Sequence, residues 1–528
     1  MMSTAAATAQ QTRIGKVHRQ CPICDSPQLQ YEFLVDRSPV CGCQECGLLF
    51  LNPQPETLPQ ENKGAAFESA SLTELYEANA AERIQQLVTY SGMRAGVLLL
   101  IGADAHFASE ACKVGFDVHT FTVEEFQDLR SDELPVNVSV CVLFCALEKM
   151  RDPLKVLLLL RGQLTDNGCL MVISPMTDSE TARLLRSSWW EFNRANLFYF
   201  SIDTMQSLLV KAGFGDPIIT PDRSLLSVNY LRRRLAASPR ALQRYRWLRR
   251  IMLLTPVPQN KTFRLLYGRT RFLVRSKPSR QKPLLSVIVP VYNEQPTFQK
   301  LIEQLLAKTL DQVDIEIIIV ESNSTDGSRE LVLQYRNHPR VRVILQPEPK
   351  GKGYAVRAGL QVAQGTLVLF QDADLEYDIN DYDALIAPLL RFQSNFVLGS
   401  RHSSLKHSWK IRKFSDSPGL ATFFNLGHII FLTLFNLLYS QHLSDPFTMF
   451  KVFRYDCIYG LKFECNRFDF DYELVIKLLR KGYRAIEMPV NYQSRSLKEG
   501  KKVTVFRDPL TWIRALLKFR RAPIYEQN

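Results

Sequence analysis

The sequence predicts an α/β protein. Three observations carry this reading. From Pro283 onward, short β-rich runs alternate with stretches of helical period, the pattern of a parallel, doubly wound sheet. Polar clusters follow those runs, at the strand ends where such sheets bind ligands. One cluster, Asp372-Ala373-Asp374, closes the apolar run Leu367–Phe370 with two carboxylates one residue apart.

The elements follow in order. Ser286-Val-Ile-Val-Pro290-Val-Tyr292-Asn293-Glu294 reads as a first strand ending in polar residues, and a helical stretch runs to about Thr309. A second strand over 315–320 ends in Glu321-Ser-Asn-Ser-Thr-Asp326-Gly. A helix to about Asn337 and a third strand, Val341–Leu345, come next. Gly351-Lys352-Gly353 opens a helix to about Ala363, and Leu367–Phe370 is the fourth strand.

Strand side chains alternate, so Asp372 and Asp374 share a side if the extended geometry continues. Two carboxylates there suit a hard cation, Mg²⁺ or Mn²⁺, with positions left for phosphate oxygens. A solvated loop is the plainer alternative, since D-x-D is common. The clusters at Tyr292 to Glu294 and Glu321 to Asp326 converge on the same sheet edge and favour the cation reading.

At 528 residues the chain suits three or four domains. Its 46% hydrophobic and 23% charged content fits folded globular units. The first twenty residues lack the apolar core of a signal peptide. The eleven cysteines are therefore expected in a reducing compartment, as metal ligands or buried small residues. Cys21-x2-Cys24 and Cys43-x2-Cys46 have the spacing of a zinc ribbon, in which four thiolates close a structural Zn²⁺ site. Cys41 is a spare that could exchange with Cys43.

The net charge is +13, and one segment holds it. Residues 223–282 carry 17 Lys or Arg and no acid, which leaves 49 basic against 53 acidic residues elsewhere. Its mix of arginine with Trp, Tyr, Leu and Met suits an anionic membrane surface. A solvated interdomain linker is the alternative. No nucleic-acid module flanks it, so nucleic acid is not an expected partner. Residues 423–440 form the most apolar stretch, but Asn425, His428, Thr433, Asn436 and Ser440 give a helix there a polar stripe. It reads as lying in an interface or packed on protein, not as a span.

The run Cys46-Gly-Leu-Leu-Phe-Leu-Asn-Pro-Gln-Pro55 after the cysteine pairs resembles zinc-ribbon-headed class I methyltransferases dependent on S-adenosylmethionine. The likeness continues through 96–102, through Ala146-Leu-Glu148-Lys…Asp152-Pro153, through Leu164–Pro175 and on to about residue 220. The cofactor positions depart from that family. Its glycine-rich first loop reads Ile101-Gly102-Ala103-Asp104-Ala105-His106, with one glycine. Leu99 or Leu100, and Thr122, stand where its acids are expected. The resemblance implies a retained fold in a docking or regulatory role, without a working S-adenosylmethionine site.

The second half is similar to family-two inverting glycosyltransferases of the GT-A fold, especially polyprenyl-phosphate sugar synthases. Gly351-Lys-Gly-Tyr-Ala-Val-Arg-Ala-Gly359, Gln371-Asp-Ala-Asp-Leu-Glu-Tyr377, Gly399-Ser-Arg401, Phe468-Asp-Phe-Asp-Tyr-Glu473 and Arg495…Gly500-Lys-Lys502 carry it. The resemblance implies that Pro290, Tyr292 and Glu294 line a nucleoside pocket and that Glu321 contacts the base. It implies that Asp372 and Asp374 hold the metal and donor diphosphate, with Ala373 between them and Glu376 as a third metal contact. Lys352, Arg401, Arg495 and Lys502 would meet donor or acceptor. Asp445 would stand beside the acceptor, as the base if the acceptor is a hydroxyl.

The expected plan is thus two doubly wound domains. A zinc ribbon (13–60) and a methyltransferase-like Rossmann domain (61–222) precede a basic linker (223–282). A GT-A domain (283–502) and a basic amphipathic tail (503–528) follow. The expected activity is metal-dependent transfer of a hexose from a GDP- or UDP-sugar to polyprenyl phosphate. The expected location is the cytoplasmic side, peripheral at the inner face of the plasma membrane. A glycan hydroxyl acceptor, a bifunctional methyltransferase and a non-catalytic binding module stand as alternatives, and self-association is left open.

Overall fold

A computed structural model describes residues 15–56, 70–102, 104–129, 133–228, 262–276, 282–402, 418–494 and 507–524, with Arg232 and Arg250. The chain divides into two compact units at Pro278 and Ser279.

The first unit holds two sheets. β1 (Leu29–Val35), β2 (Ser38–Cys43) and β3 (Leu49–Leu51) form an antiparallel ribbon. Its fourth strand comes from far along the chain (Phe198–Tyr199), so the cysteine-rich segment is stitched into the unit rather than hung on it.

The larger sheet starts with β4 (Gly96–Ile101), β5 (Phe116–Phe121), β6 (Val138–Phe144) and β7 (Leu164–Pro175), which are parallel. The two-residue ribbon strand Phe198–Tyr199 is β8. β9 (Phe214–Ser227) and β10 (Thr262–Ser276) complete the larger sheet, in the order β5-β4-β6-β7-β10-β9. β10 runs antiparallel to both its neighbours. Leu98 to Ile101 are buried without a break, as both faces of this sheet are covered. The helix Ala70–Ser91 lays Ala80, Ile84 and Leu87 over Leu98, Leu100 and Val142.

This sheet corrects the linker expectation. Residues 223–227 and 262–276, at either end of the basic segment, are sheet strands, and the stretch between them joins two neighbouring strands. Charge count hid the reason. Within β10, Phe272 and Val274 are fully buried, and Arg271 is buried too because Asp222 of β9 accepts its guanidinium at 3.0 Å. Apart from Val228, Arg232, Arg250 and Lys282, the remainder of the segment, including Tyr245 and Trp247, lies outside the described residues.

The second unit is one mixed sheet: β11 (Leu284–Val291), β12 (Asp314–Glu321), β13 (Val341–Leu345), β14 (Leu367–Phe370), β15 (Phe396–Ser400), β16 (Lys451–Arg454) and β17 (Ala485–Pro489). The order is β13-β12-β11-β14-β16-β15-β17, and β16 alone is antiparallel to its neighbours. Val287, Val289, Ile317, Ile319 and Leu369 pack under Phe298, Leu301 and Leu305 on one side, with Tyr382, Leu385 and Leu389 in the same core. Each such aliphatic side chain contributes about 1.5–3 kcal/mol by leaving water. Because β16 runs backwards, its lead-in over residues 444–449 arrives where β11, β12 and β14 end.

Two helices finish this unit. In Pro418–Tyr439 the first part of the polar stripe turns inward: Asn425 and His428 are buried, while Leu426, Ile430 and Leu437 are exposed, as is Thr433. No helix among the described residues is long and apolar enough to cross a membrane. Arg507–Lys518 is no loose tail. Ala515, Leu516 and Phe519 are buried, and Trp512 stacks on Tyr472, which stacks in turn on Phe447.

Candidate active site

Three strands of the second unit end in a residue with left-handed backbone: Asn293 after β11, Asn323 after β12 and Leu375 after β14 (φ +51°, +57° and +59°). Asparagine adopts this region readily, whereas leucine does so at a cost the surroundings must offset. Here Leu375 packs against the core and Glu376 N–H donates to the Asp374 carboxylate at 3.1 Å. The first two loops are tied together. Asn293 Oδ1 accepts from Thr325 N–H at 2.8 Å, and Ser328 Oγ accepts from Glu294 N–H at 2.9 Å. Thr297 Oγ1 donates to the Ala373 carbonyl at 2.7 Å, which pins the Asp372-Ala373-Asp374 loop to the first helix.

Lys352 begins the helix Lys352–Val362, and its ammonium contacts the Asp372 carboxylate. Met449 Sδ lies 3.2 Å from the same nitrogen. Burial works against the charge on Lys352, but Asp372, Asp471 and Asp374 hold its pKa above the ordinary value. Behind it, Lys451 is fully buried and donates to Asp471 at 3.0 Å. Burial pulls Lys451 below the ordinary lysine value, against the opposing pull of Asp471.

Arg401 and Asp445 form a two-point ion pair, 2.7 Å from both Nε and Nη2, and the Arg401 N–H adds a third hydrogen bond at 3.0 Å. Burial alone would raise the Asp445 pKa, yet Arg401 holds it well below the carboxylate range. Arg401 is therefore committed to Asp445, and Asp445 is a poor proton acceptor. The sequence placed Arg401 at a donor or acceptor phosphate and Asp445 beside the acceptor, as its base only if the acceptor is a hydroxyl; the structure joins the two residues to each other.

Glu376 receives the Tyr492 hydroxyl at 2.9 Å and does not complete a three-carboxylate group. Glu321, expected at the base, is fully buried, accepts from Ser324 N–H at 2.6 Å and lies 3.3 Å from Arg329, so it braces the loop. Tyr292 is 37% exposed at the edge, Pro290 is half-buried in β11 and Glu294 is buried. Arg495 and Lys502 lie outside the described residues. Sequence reading gave Asp471 no role, although the run 468–473 had stood out. Lys451 had one signal, a lysine inside the apolar run Met449-Phe-Lys-Val-Phe.

In the first unit, Cys21, Cys24, Cys43 and Cys46 place their sulfurs within 4.8 Å of one another. Cys21–Cys46 and Cys24–Cys43 are each 3.5 Å apart. Thiolates ~2.3 Å from a common tetrahedral ion lie about 3.8 Å apart, so the set fits Zn²⁺. Cys43 takes the fourth place and Cys41 is outside the group.

Side chains of the unit meet at the carboxyl ends of β4 and β6. Arg83 lies over the Phe144 ring at 4.9 Å and reaches Asp104 at 3.4 Å and Asp222 at 2.7 Å. Gly102 abuts the Phe144 carbonyl so closely that a Cβ would lie 2.3 Å from it. Thr122, at the end of β5, spends its hydroxyl on Glu125 N–H as a helix cap. These residues do not fit S-adenosylmethionine, which needs an open glycine-lined loop and a ribose-binding acid there.

Taken together, the second unit's sheet and the acids at its carboxyl edge define an α/β ligand-binding domain of the doubly wound class. Residues 286–458 match the model of glycosyl transferase family 2, so the second unit carries a domain of that family. A dolichyl-phosphate beta-glucosyltransferase of Trichomonas vaginalis is 31% identical over 222 residues, 39% of this chain and 65% of that protein. A dolichol-phosphate mannosyltransferase of Mycosarcoma maydis is 33% identical over 147 residues, 26% of this chain and 49% of that protein. The chain thus spans just under two thirds of the first relative and half of the second. Among solved structures, glucosyl-3-phosphoglycerate synthase of Mycobacterium tuberculosis with Mn²⁺, UDP-glucose and phosphoglyceric acid is 18% identical. That match covers 46% of this chain and 81% of the other, with a TM-score of 0.33.

Proposed function

We propose that the chain is an inverting, metal-dependent glycosyltransferase that moves a hexose from a nucleoside-diphosphate donor to a polyprenyl phosphate at the cytoplasmic membrane face. The observation that carries this is the Asp372-Ala373-Asp374 loop, pinned by Thr297 and faced by Lys352, at the carboxyl edge of a family 2 domain. The two relatives, named for dolichyl-phosphate sugar transfer, support the acceptor class.

Asp372 and Asp374 are the residues that would hold Mg²⁺ or Mn²⁺, whose part is to neutralise the charge of the departing diphosphate. Lys352 adds a further positive charge beside that group. The Thr297 and Glu376 hydrogen bonds hold the loop's backbone in place before charge develops. A phosphate acceptor is already an anion near pH 7, its second pKa being about 6, and needs no base. The locked state of Asp445 favours such an acceptor over a hydroxyl, which would need one.

In the first unit, the strand order with β10 inserted antiparallel supports a class I methyltransferase-like fold. The Arg83 contacts with Phe144, Asp104 and Asp222 favour a docking role, with Zn²⁺ on the four cysteines as a structural element.

A labelled-donor screen tests the proposal: UDP-glucose, GDP-mannose and UDP-N-acetylglucosamine, each with undecaprenyl phosphate and Mn²⁺. The expected result is a mild-acid-labile lipid product with one donor, lost in Asp372→Asn with the fold intact. Retained transfer in that variant would remove the cation assignment.

A further inference from the structure

Lys352 stands at an unfavourable place for a cation. It is the first residue of its helix, at the positive end of the backbone dipole. Its position is also fixed from both sides. A Cβ on Gly351 would lie 2.5 Å from the Asn466 carbonyl, and one on Gly353 would lie 2.5 Å from Phe470 Cβ. Glycine at both sites lets the backbone press against the first turn of the helix Asp469–Lys481 and its lead-in. The lysine is thereby delivered to Asp372.

Among the described residues, Asp372, Asp374 and Asp471 act on Lys352, and Asp471 also acts on Lys451. The two lysines differ in access. Lys451 is sealed, with 0% side-chain exposure, and is held by Asp471 and the Thr448 carbonyl. Lys352 and Asp372 keep 15% and 17% exposure, and the ammonium's other contact is a thioether, a weak acceptor. One pair is permanent and the other is open to exchange.

We propose that Lys352 is a built-in counter-cation of Asp372, which a divalent ion displaces and which then turns its ammonium to the donor diphosphate. This rests on reading Asp372 and Asp374 as the cation site. A metal ion bonded ~2.1 Å from a carboxylate oxygen occupies the space in which an ammonium hydrogen-bonds that oxygen. The two cations would also repel at that separation. The four-carbon lysine stem gives the ammonium somewhere to go, and an incoming diphosphate gives it a partner. Cation and nucleotide would then bind cooperatively, because each relieves what the other disturbs.

The test is Mn²⁺ binding, read by the electron spin resonance signal of unbound Mn²⁺, on the full chain with and without UDP or GDP. In the wild type, a matching nucleotide should tighten Mn²⁺ about tenfold. Lys352→Met should bind Mn²⁺ alone about tenfold more tightly than wild type and lose most of the nucleotide's effect. Lys352→Arg keeps the charge and should behave like wild type, and circular dichroism shows that each variant is folded. Asp372→Asn should lose the Mn²⁺ site. If Mn²⁺ binds through Asp372 but Lys352→Met leaves both the affinity and the nucleotide effect unchanged, the exchange is wrong and the cation site stands. If Asp372→Asn does not alter Mn²⁺ binding, both are overturned.

Discussion

Arg401 at the end of β15 and Asp445 in the lead-in to β16 join two antiparallel neighbours of the sheet by a buried, two-point ion pair. Tyr492 lies under the guanidinium, its ring centre 5.2 Å from the central carbon. Ser444 N–H and Asp445 N–H both donate to Glu487 of β17, at 2.7 and 2.6 Å. The pair therefore sets the shape of this end of the sheet beside the acid loop.

Asp445→Ala leaves a buried guanidinium without its partner and should cost about 3–5 kcal/mol. Urea unfolding measures this directly. The folded carboxyl is held below its ordinary 3.8, so the contribution is complete above that pH and disappears as pH falls below it. Replacing both members with apolar residues should recover much of the loss, whereas a general base would show instead as a lost ionisation in the pH–rate profile.

Glu148 gives the opposite sign. Burial raises its pKa to about 7 from 4.5, even though Ser174 Oγ donates to it at 2.9 Å. The folded state thus binds the proton more tightly than the unfolded chain. Stability should fall as pH rises from about 4.5 to 7, by up to ~3 kcal/mol at 1.36 kcal/mol per unit. Glu148→Gln should flatten that slope and raise the melting temperature at pH 8. An unchanged slope would mean that Glu148 stays charged when folded. Asp178, raised to about 6 by burial, adds to the wild-type slope and should persist in the variant.

Much of this was legible in the chain. Strands β11 to β14 of the second unit follow from apolar runs that switch to helical period, and their polar ends fall at one edge because parallel strands all point that way. Asp372 and Asp374 could be found for that reason. What the sequence hid was pairing between distant residues. Nothing near Arg401 signals that Asp445 will claim it, nor near Glu376 that Tyr492 will. Residues 223–282 misled because charge was read without period. In β10 the arginines intersperse with Phe272 and Val274, and Arg271 is buried on Asp222. The polar stripe of Pro418–Tyr439 was seen but its direction was not. A stripe of Asn and His can face water or a polar site, and Asn425 and His428 face inward.

The four clustered cysteines predict one Zn²⁺ per chain, measurable by elemental analysis of protein purified without chelator. Cys43→Ser should remove the metal and loosen the ribbon, while Cys41→Ser should leave both unchanged. Lys211 Nζ donates to the Ile23 carbonyl at 2.6 Å, so loss of the metal should also expose the helix Ile202–Lys211 to hydrogen exchange. Full zinc content in Cys43→Ser would assign the fourth ligand to Cys41 instead.

The exposed face of Pro418–Tyr439 predicts membrane binding. Leu426, Ile430 and Leu437 are 54%, 59% and 77% exposed, and their spacing of four and seven places them on one side of the helix. On Arg507–Lys518, which packs against the same helix through Trp512 on Phe431 and Leu516 on Tyr439, Ile513 and Leu517 are exposed beside Arg514 and Lys518. Apolar side chains flanked by basic ones suit an anionic bilayer surface. Changing Leu426, Ile430 and Leu437 to Asn removes apolar area that already faces water, so the melting temperature should hardly move. At about 1 kcal/mol for each partly inserted side chain, vesicle binding should weaken roughly a hundredfold. Cosedimentation with vesicles containing phosphatidylglycerol measures this. Added salt should weaken the wild type further, because the basic residues act through a screened field. Transfer to a water-soluble short-chain phosphate should survive in the triple variant while transfer to the long-chain lipid falls. Equal loss on both would place the three residues in the reaction itself.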